Sequence, residues 1–503
     1  MSSLKLKLPG AIHFASNIYS LFTGLAFTVI VTRTLTISDF GLWTMISQYI
    51  AYTAGPLANI ASFWIIRYVA RGFKGAVKSG FIFGAFLSSI GLSLYLLLAI
   101  LASNSFSQPL AILLLAAPQA ITYIMLGTLS SAVIGTSPTH IGISNIVFET
   151  SKVVMAYSFV RILKMGLAGA IISVILAQTI QAMYLVMVLR GFITQEIMSY
   201  DVIKKWFKFS WLPLYGLFSG LISGFDVLMA RIISSTDTLI GVRKVASIAG
   251  SFPNYVSSLS LSLYPRSLGA ASNRRWEEDV EELLKFMSFM AIPIALGNIV
   301  LMDLLLEIFG SEYVNAYLAG IVVVIASLIA LINYVVDPVL MGSETIDLKN
   351  DVSFREYARS TISKVMTLNH LSAVIYVVAV SLAIMLSAGE IYQATLYWSL
   401  ASFTGAPFMI YKIKMLNSMG VRFKVPAKNI ARFFLSSALM ALIVSGLRST
   451  ILGIFAGSVI RLIMGIVVLT IIGGCIYFTL VFLIDDYARK LAKETRSILK
   501  QLL

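Results

Sequence analysis

Charged residues within long apolar runs are the residues of this sequence that could do chemistry. An ionisable side chain at the centre of a bilayer costs at least about 2.5–3.5 kcal/mol, so it usually faces a cavity or a partner. Glu149 and Lys152 lie roughly midway along the apolar run 141–162, three residues apart and hence on one helix face. They form either an ion pair that locks helix packing or the lining of a cavity, with Lys152 binding an anionic substrate and Glu149 carrying protons.

Four charges around one turn form a second candidate cluster. Asp226 lies in the outer half of an apolar run, and Arg231 follows five residues later. Arg243 and Lys244 lie at the start of the next apolar run. The group is either an interfacial cluster that stabilises the turn or a cationic rim of a central cavity, with Asp226 as the counter-charge.

Arginines also lie at the ends of other apolar runs. Arg33 with Asp39 forms either a structural clamp of a turn or part of the same cationic path. Arg67, Arg71 and Arg266 either anchor the topology or meet a phosphate at the inner mouth, because a planar guanidinium donates hydrogen bonds in pairs. Two further charges near the ends of apolar runs are expected only to reach towards water: Asp337 and Arg461.

The composition is that of a polytopic helical membrane protein. Of 503 residues, 58% are hydrophobic and only 12% are charged, with a mean hydropathy of +0.89, whereas a soluble protein carries about 25% charged residues. Most of the apolar runs exceed the roughly 20 residues that a helix needs to cross a bilayer. We predict an all-α fold with fourteen transmembrane helices, at 11–33, 40–66, 79–102, 109–135, 141–162, 166–189, 209–232, 239–265, 284–309, 314–341, 363–388, 390–411, 430–447 and 459–484.

No enzyme motif accompanies these spans. The three histidines are far apart in sequence, and no nucleotide-binding, metal-binding or nucleophile motif is present. We therefore expect no catalytic residue, no cofactor and no metal. The spans leave no room for a soluble catalytic domain, and an ATP-driven pump would need a partner to supply the ATPase.

The distribution of lysine and arginine predicts the orientation. Most of them lie in alternate segments, such as 67–78, 190–208 and 412–432, which the positive-inside rule places in the cytoplasm together with both termini. The net charge of +15 is mostly this bias, so nucleic-acid binding is not needed to explain it. The basic, amphipathic segment 485–503 is expected to lie on the anionic inner leaflet.

Two segments repeat at a nearly constant offset of about 200 residues. We therefore predict two pseudo-symmetric six-helix lobes, 1–208 and 209–429, and an added helix pair with a basic tail, 430–503. Two such lobes with a binding site at their interface are typical of transporters. The matching residues of the two segments are Arg33 with Arg231, Asp39 with Asp237, Pro56 with Pro253, and Arg67 with Arg266.

Three segments resemble a known transporter family. The first is 31–71 (VTRTLTISDFGLW…RYVAR), with a turn and the basic end of the following apolar run. The second is 225–268, with an Asp, a Gly turn and a terminal Tyr-Pro, and the third is 289–320, with an FGSEY turn. The sequence is similar here to the polysaccharide-transport family, the Wzx-type flippases of the multidrug/oligosaccharidyl-lipid/polysaccharide (MOP) exporter superfamily. The likeness includes the fourteen-span count and covers most of the chain.

The resemblance implies a V-shaped pair of lobes, alternating access and a multi-pass location in the cell membrane. The implied partners are membrane lipids, other glycan-assembly proteins, and a cargo oligosaccharide on a polyprenyl phosphate or pyrophosphate. Two residues would balance charge or carry protons: Glu149 and Asp226. Six residues would hold the phosphate and line the path: Arg33, Arg67, Lys152, Arg231, Arg243 and Lys244.

Three other functions remain open. An ion-coupled multidrug exporter of the same superfamily would need a more acidic, aromatic cavity for cationic drugs, and twelve spans. A non-transporting scaffold of a glycan-assembly complex would tolerate loss of the membrane charges. A membrane-embedded glycosyltransferase or ligase would need an acidic catalytic motif or a large outer loop, and neither is visible in the sequence.

Overall fold

The computed structural model describes residues 3–208, 210–262, 276–342, 354–455 and 457–493. These residues are mostly helical, and none of them lies in a β-strand. This confirms the predicted all-α class, which follows from the physics of the bilayer, because a helix satisfies its main-chain hydrogen bonds without water. The chain forms two compact units, Met1–Gly241 and Val242–Leu503.

The first unit is built from long helices with two local breaks. Pro118 is the first residue of α5 and separates it from α4, because proline lacks the N–H that would continue the helix. A π-helical turn, Tyr157–Ile162, follows α6. The helices are α1 (Ser3–Thr32), α2 (Ile37–Ala70), α3 (Ala76–Phe106), α4 (Leu110–Ala116), α5 (Pro118–Thr136), α6 (Thr139–Ala156), α7 (Gly166–Gln195), α8 (Tyr200–Lys208) and α9 (Trp211–Ser234); α10 (Thr238–Gly250) contains the boundary residue Gly241.

The second unit has more short helical pieces. Among its described residues, 3₁₀ segments occur at Phe252–Ser262, Ser311–Ala316 and Ser402–Gly405. The α-helices are α11 (Trp276–Val300), α12 (Met302–Phe309), α13 (Tyr317–Gly342), α14 (Phe354–Arg359), α15 (Thr361–Leu386), α16 (Ile391–Ala401), α17 (Ala406–Ser418), α18 (Ala427–Ile454) and α19 (Val459–Ile484).

The predicted spans agree with the helices where both can be compared. In the described part of the chain, nine helices are long and apolar enough to cross a membrane, which supports a multi-pass membrane protein. The described parts of the other five predicted spans are helical too, but they are shorter, more polar or interrupted. The count of fourteen therefore stays a prediction. The predicted Tyr-Pro motif, Arg266 and tail residues 494–503 lie outside the described residues.

The packing of the first unit leaves a space between its helices. α1 packs along α6, α6 along α7, and α2 contacts α3, α5 and α9. Glycine permits a close approach of α3 to α5, because a Cβ on Gly84 would lie 2.5 Å from the Thr128 hydroxyl oxygen. The same helices contribute the polar residues described in the next section.

Two glycines related by the predicted repeat lie against each other's turns. A Cβ on Gly41 would lie 1.8 Å from the main-chain oxygen of Asp237, and a Cβ on Gly241 would lie 2.4 Å from that of Ile37. Both obstructing atoms belong to the backbone, so they cannot rotate away as a side chain could. The contact is therefore reciprocal between the starts of α2 and α10, both within the first unit.

In the second unit, α18 and α19 pack on α11 through an aromatic cluster. The rings of Phe433 and Tyr477 lie 5.5 Å and 5.8 Å from that of Phe289. The Tyr477 hydroxyl donates to the main-chain oxygen of Phe289 at 2.7 Å. An ion pair of Arg448 with Asp303 adds a link between α18 and α12. The predicted added helix pair is thus part of the second unit's core.

Candidate functional site

A cavity of about 740 Å³ with several polar side chains in its wall lies within the first unit, a volume in the range of small-molecule sites. Its walls come from α1, α2, α5, α6, α7 and α9. Apolar and small residues complete the wall, among them Phe148, Leu217 and Gly220. The polar residues of the lining are Ser20, Gln48, Asn59, Ser62, Tyr123, Ser130, Asn145, Glu149, Gln178 and Gln181.

Helical spacing explains why the polar residues converge. Asn145 and Glu149 are four residues apart on α6, and Gln178 and Gln181 are three apart on α7, so each pair shares a helix face. Asn59 lies on α2, which forms another part of the cavity wall. The polar part of the lining therefore consists mainly of carboxamides and hydroxyls.

Glu149 is the charged residue among the described lining residues. Lys152 Nζ lies 2.7 Å from Glu149 Oε2, and the Thr23 hydroxyl donates to the same oxygen at 2.8 Å. The Lys152 ammonium lies 5.4 Å and 4.8 Å from the ring centroids of Phe27 and Phe148, a favourable arrangement for a cation. The two residues thus form an ion pair, and Glu149 lines the cavity, whereas Lys152 is not among the described lining residues.

Internal hydrogen bonds orient three of the carboxamides. Gln181 Nε2 donates to Asn145 Oδ1 at 3.2 Å, and the Thr122 hydroxyl donates to Gln178 Oε1 at 2.6 Å. These bonds orient the amides and leave other atoms of the same groups facing the cavity. The lining is thus positioned before any ligand enters.

Arg231 lies in a different network, near the end of α9. Its Nε is 3.0 Å from Asp237 Oδ1, and its Nη2 donates to the main-chain oxygen of Phe106 at 2.6 Å. Gln108 Nε2 donates to Asp237 Oδ1 at 3.3 Å, and Gln108 Oε1 accepts from the Tyr49 hydroxyl at 3.1 Å. Burial raises the pKa of the Asp237 carboxyl, although Arg231 and Gln108 act in the opposite direction.

The structure does not bring the other predicted residues of the first unit into the cavity lining. Arg33 and Arg67 are exposed, and the guanidinium of Arg67 lies 3.5 Å from the ring centroid of Phe63. The carboxylate of Asp226 accepts the main-chain N–H of Val227 at 2.7 Å. Thr36 is the N-cap of α2 and accepts the main-chain N–H of Asp39, and the Asp39 carboxylate accepts the Thr36 hydroxyl at 2.8 Å, so Asp39 supports the helix cap.

Arg243 has a distinct environment in the second unit. Its guanidinium lies 5.6 Å from the ring centroid of Trp398. Its Nε and Nη1 atoms are buried and have no hydrogen-bond partner among the described residues. Buried donors without partners are rare in folded proteins, so these two nitrogens are available to donate to a ligand. The neighbouring Lys244 is exposed.

A buried ion pair in the second unit escaped the sequence interpretation. Lys412 Nζ lies 2.8 Å from Asp337 Oδ1 and donates to Asn369 Oδ1 at 2.7 Å. Lys412 was expected in a cytoplasmic loop and Asp337 at a water-facing helix end, but the pair joins α13, α15 and α17. The signal was present in the sequence, because Lys412 is surrounded by apolar residues (FMIYKIKML).

The cavity carboxamides were also missed. All five lie within predicted membrane spans: Gln48, Asn59, Asn145, Gln178 and Gln181. Carboxamides are unusual there, because burial deprives them of water. Their presence within apolar runs could therefore have identified the site. Within the described ranges, no group of three His, Cys, Asp or Glu residues could hold a metal ion.

No protein-family model and no curated protein sequence matches this chain. Solved structures do match its fold. A lipid II flippase, MurJ, in an inward closed conformation is 14% identical, with a TM-score of 0.64 over 96% of this chain and 100% of its own. The chain has the fold of MOP superfamily transporters.

Multidrug transporters of that superfamily match a smaller part of the chain. An inward-facing MATE family transporter is 11% identical, with a TM-score of 0.61 over 80% of this chain and 95% of its own. A MATE protein in a straight conformation is 12% identical, with a TM-score of 0.56 over 83% of this chain and 96% of its own. The chain therefore shares the fold of MOP superfamily transporters, as the three motifs predicted.

Proposed function

We propose that this protein is a flippase that moves a polyprenyl-(pyro)phosphate-linked oligosaccharide from the cytoplasmic to the outer leaflet by alternating access. The observation that carries the proposal is the carboxamide- and hydroxyl-lined cavity within an apolar helical unit. Such a lining can replace the water around a polar headgroup, while a lipid tail stays in the bilayer. The fold supports transport, and one matching structure is a lipid II flippase.

Arg243 is the predicted cation best suited to the phosphate. Its buried Nε and Nη1 donors lack partners in the described part of the chain, and a guanidinium fork matches phosphate oxygens. Arg231 and Lys152 already hold acidic partners, so we assign them to shaping the path. Arg33, Arg67 and Lys244 would attract the anionic headgroup from exposed positions.

The membrane potential can drive this reaction without ATP. Moving each negative charge outward releases about 2.3 kcal/mol per 100 mV when the inside is negative. Glu149 and Asp226 would balance the charge of the headgroup or carry protons. The transporter would act in the cell membrane, together with other proteins of cell-surface polysaccharide or glycoprotein assembly.

The test is headgroup translocation in proteoliposomes. Purified protein would be reconstituted with a short fluorescent lipid-linked oligosaccharide, and a membrane-impermeant quencher would report which leaflet holds the headgroup. Hydrogen bonds to charged groups contribute about 1.5–3 kcal/mol, so Arg243→Met should weaken apparent substrate affinity roughly ten- to hundredfold. Arg243→Lys should recover only part of it, because an ammonium lacks the paired donors.

Arg190→Met is the matched control, since it removes an exposed arginine of α7 that lies outside the cavity lining. Protein-independent translocation, combined with proton-linked efflux of cationic dyes, would overturn the proposal in favour of a multidrug exporter. Absence of both activities for a range of glycans would favour a scaffold. Translocation that is unchanged in Arg243→Met would retain the flippase and refute the phosphate assignment.

A further inference from the structure

Several polar atoms of the cavity remain available after the internal hydrogen bonds are counted. Both contacts of Glu149 use Oε2, so Oε1 can accept a bond from a ligand. Gln178 uses its Oε1 for Thr122, which leaves the Nε2 donors. Asn145 uses its Oδ1 for Gln181, which leaves the Nδ2 donors. The cavity therefore presents one strong acceptor beside two amide donors.

This arrangement suits a ligand with many hydroxyl groups. A hydroxyl donates one hydrogen bond and accepts others, so adjacent hydroxyls of a sugar can bond to a carboxylate and to amide N–H groups at the same time. Tyr123 and Phe148 add aromatic surface to the lining, against which the apolar face of a sugar ring can pack. A planar apolar drug would leave the amides and the carboxylate without partners.

The net charge of the site is the second part of the argument. Glu149 is 8% exposed, and Lys152 neutralises it at 2.7 Å. Lys152 itself is absent from the described lining and lies beside two phenyl rings. The pair therefore supplies a neutral site in which Oε1 of Glu149 is engaged by neither Lys152 nor Thr23. An acidic sugar would bring a second carboxylate close to Glu149, where the low dielectric strengthens repulsion.

We propose that the cavity of the first unit is a glycan-binding site that selects uncharged sugars. This inference rests on the proposed function only for the natural substrate; binding of free sugars can be measured without any translocation. The phosphate is then not bound in this cavity.

The test is direct binding to the purified full chain in lipid nanodiscs. Saturation-transfer NMR detects weak ligands, and the probes would be two neutral trisaccharides, chitotriose and maltotriose, and one acidic trisaccharide, trigalacturonate. We expect at least one neutral probe to bind and the acidic probe to bind at least about tenfold more weakly, a difference of about 1.4 kcal/mol. Gln178→Leu should reduce neutral binding about tenfold, because one hydrogen bond to a ligand is lost.

A plugged variant separates binding from misfolding. A Cβ on Gly220 meets no atom within 4 Å, and Gly220 lines the cavity, so Gly220→Phe should fill the space without disturbing the helix. It should abolish sugar binding. Gly446→Phe is the matched control, because Gly446 is an exposed glycine of α18 with equally open surroundings. Gln393→Leu is the control for Gln178→Leu, because Gln393 is an exposed carboxamide of the second unit.

Glu149→Gln provides the decisive signature. It removes the acidic charge and leaves the Lys152 ammonium, so binding of trigalacturonate should rise severalfold while binding of the neutral probe falls. If the ion pair had only a structural role, Glu149→Gln would lower the binding of both trigalacturonate and the neutral probe. Equal binding of all three trisaccharides by the wild type would overturn the proposed selectivity, and wild-type binding in Gly220→Phe would overturn the site.

The same variants distinguish this inference from the proposed function. Sugar binding that is lost in Gly220→Phe, in a protein that translocates no lipid-linked glycan, would support the site and refute the flippase. Translocation of a neutral lipid-linked glycan at the wild-type rate by Gly220→Phe would support the flippase and refute the site. Loss of both in Gly220→Phe, with both retained in Gly446→Phe, supports both.

Discussion

The buried ion pair of the second unit allows a quantitative prediction for Lys412→Met. Lys412 Nζ lies 2.8 Å and 2.9 Å from the two carboxylate oxygens of Asp337, and 2.7 Å from Asn369 Oδ1. Methionine keeps much of the length and apolar bulk of the lysine stem but removes the charge and all three contacts. The substitution therefore isolates the ammonium group from the packing of its side chain.

Lys412→Met and Asp337→Asn should lower the free energy of unfolding by different amounts. Removing one partner of a buried ion pair costs roughly 3–5 kcal/mol, because the other charge stays buried without compensation. The Lys412 side chain is 4% exposed and that of Asp337 is 23% exposed. Lys412→Met leaves the better hydrated charge and should cost about 3 kcal/mol, at the lower end of that range. Asp337→Asn leaves the more deeply buried ammonium and should cost more.

The double variant tests whether these losses arise from the interaction between the two charges. Lys412→Met with Asp337→Asn removes both charges, and we expect it to lose about 2 kcal/mol less than the sum of the single losses, which is the coupling energy of the cycle. Reversible unfolding of the purified protein in mixed detergent micelles supplies the free energies. Lys414→Met is the control, since Lys414 is exposed two residues further along α17.

Either of two results would refute this reasoning. Additive losses in the double variant would mean that the residues stabilise the unit independently of each other. A loss for Lys412→Met no larger than that for Lys414→Met would mean that the ammonium contributes no net stability, as some buried pairs do when desolvation cancels attraction.

Three further outcomes are expected. Gly41→Val should strongly reduce the yield of folded protein, measured by monodisperse recovery in detergent, because its Cβ would lie 1.8 Å from a main-chain oxygen. Tyr477→Phe should lower unfolding free energy by about 1–3 kcal/mol, because it strands the buried main-chain oxygen of Phe289, which accepts its hydroxyl at 2.7 Å. Burial raises the pKa of the Asp237 carboxyl in the folded state. Proton binding by Asp237 therefore stabilises the fold at pH values below the ordinary carboxyl pKa, and this stabilisation is lost as the pH rises through the raised pKa. Asp237→Asn should flatten the dependence of Tm on pH below neutrality.

Hydrophobic runs predicted the helices well, since length and polarity decide what a bilayer accepts. The Glu149–Lys152 pair was also predictable, because a separation of three residues fixes a shared helix face whatever the tertiary structure. Lys412 was misplaced because the positive-inside rule assigns charges at the end of an apolar run to a loop. Only the packing of three helices reveals that Asp337 and Asn369 surround it.

The cavity was harder to predict than its individual residues. Each carboxamide interrupts an apolar run by itself, but helical spacing relates only residues on one helix, such as Gln178 and Gln181. The convergence of α2, α6 and α7 on one space is a tertiary property. Arg243 was selected from the sequence together with five other cations. It is distinguished by buried nitrogens that have no hydrogen-bond partner among the described residues, whereas the buried Nε of Arg231 lies 3.0 Å from Asp237 Oδ1.

The reciprocal glycine contact limits how this protein can change over generations. Most damaging substitutions can be compensated when a neighbouring side chain shrinks. At Gly41 and Gly241 the obstructing atoms are the main-chain oxygens of Asp237 and Ile37, which every amino acid carries. No single substitution elsewhere can remove them, so neither position has an accessible suppressor. A saturation library with random second-site changes should therefore retain glycine at both positions in every functional clone.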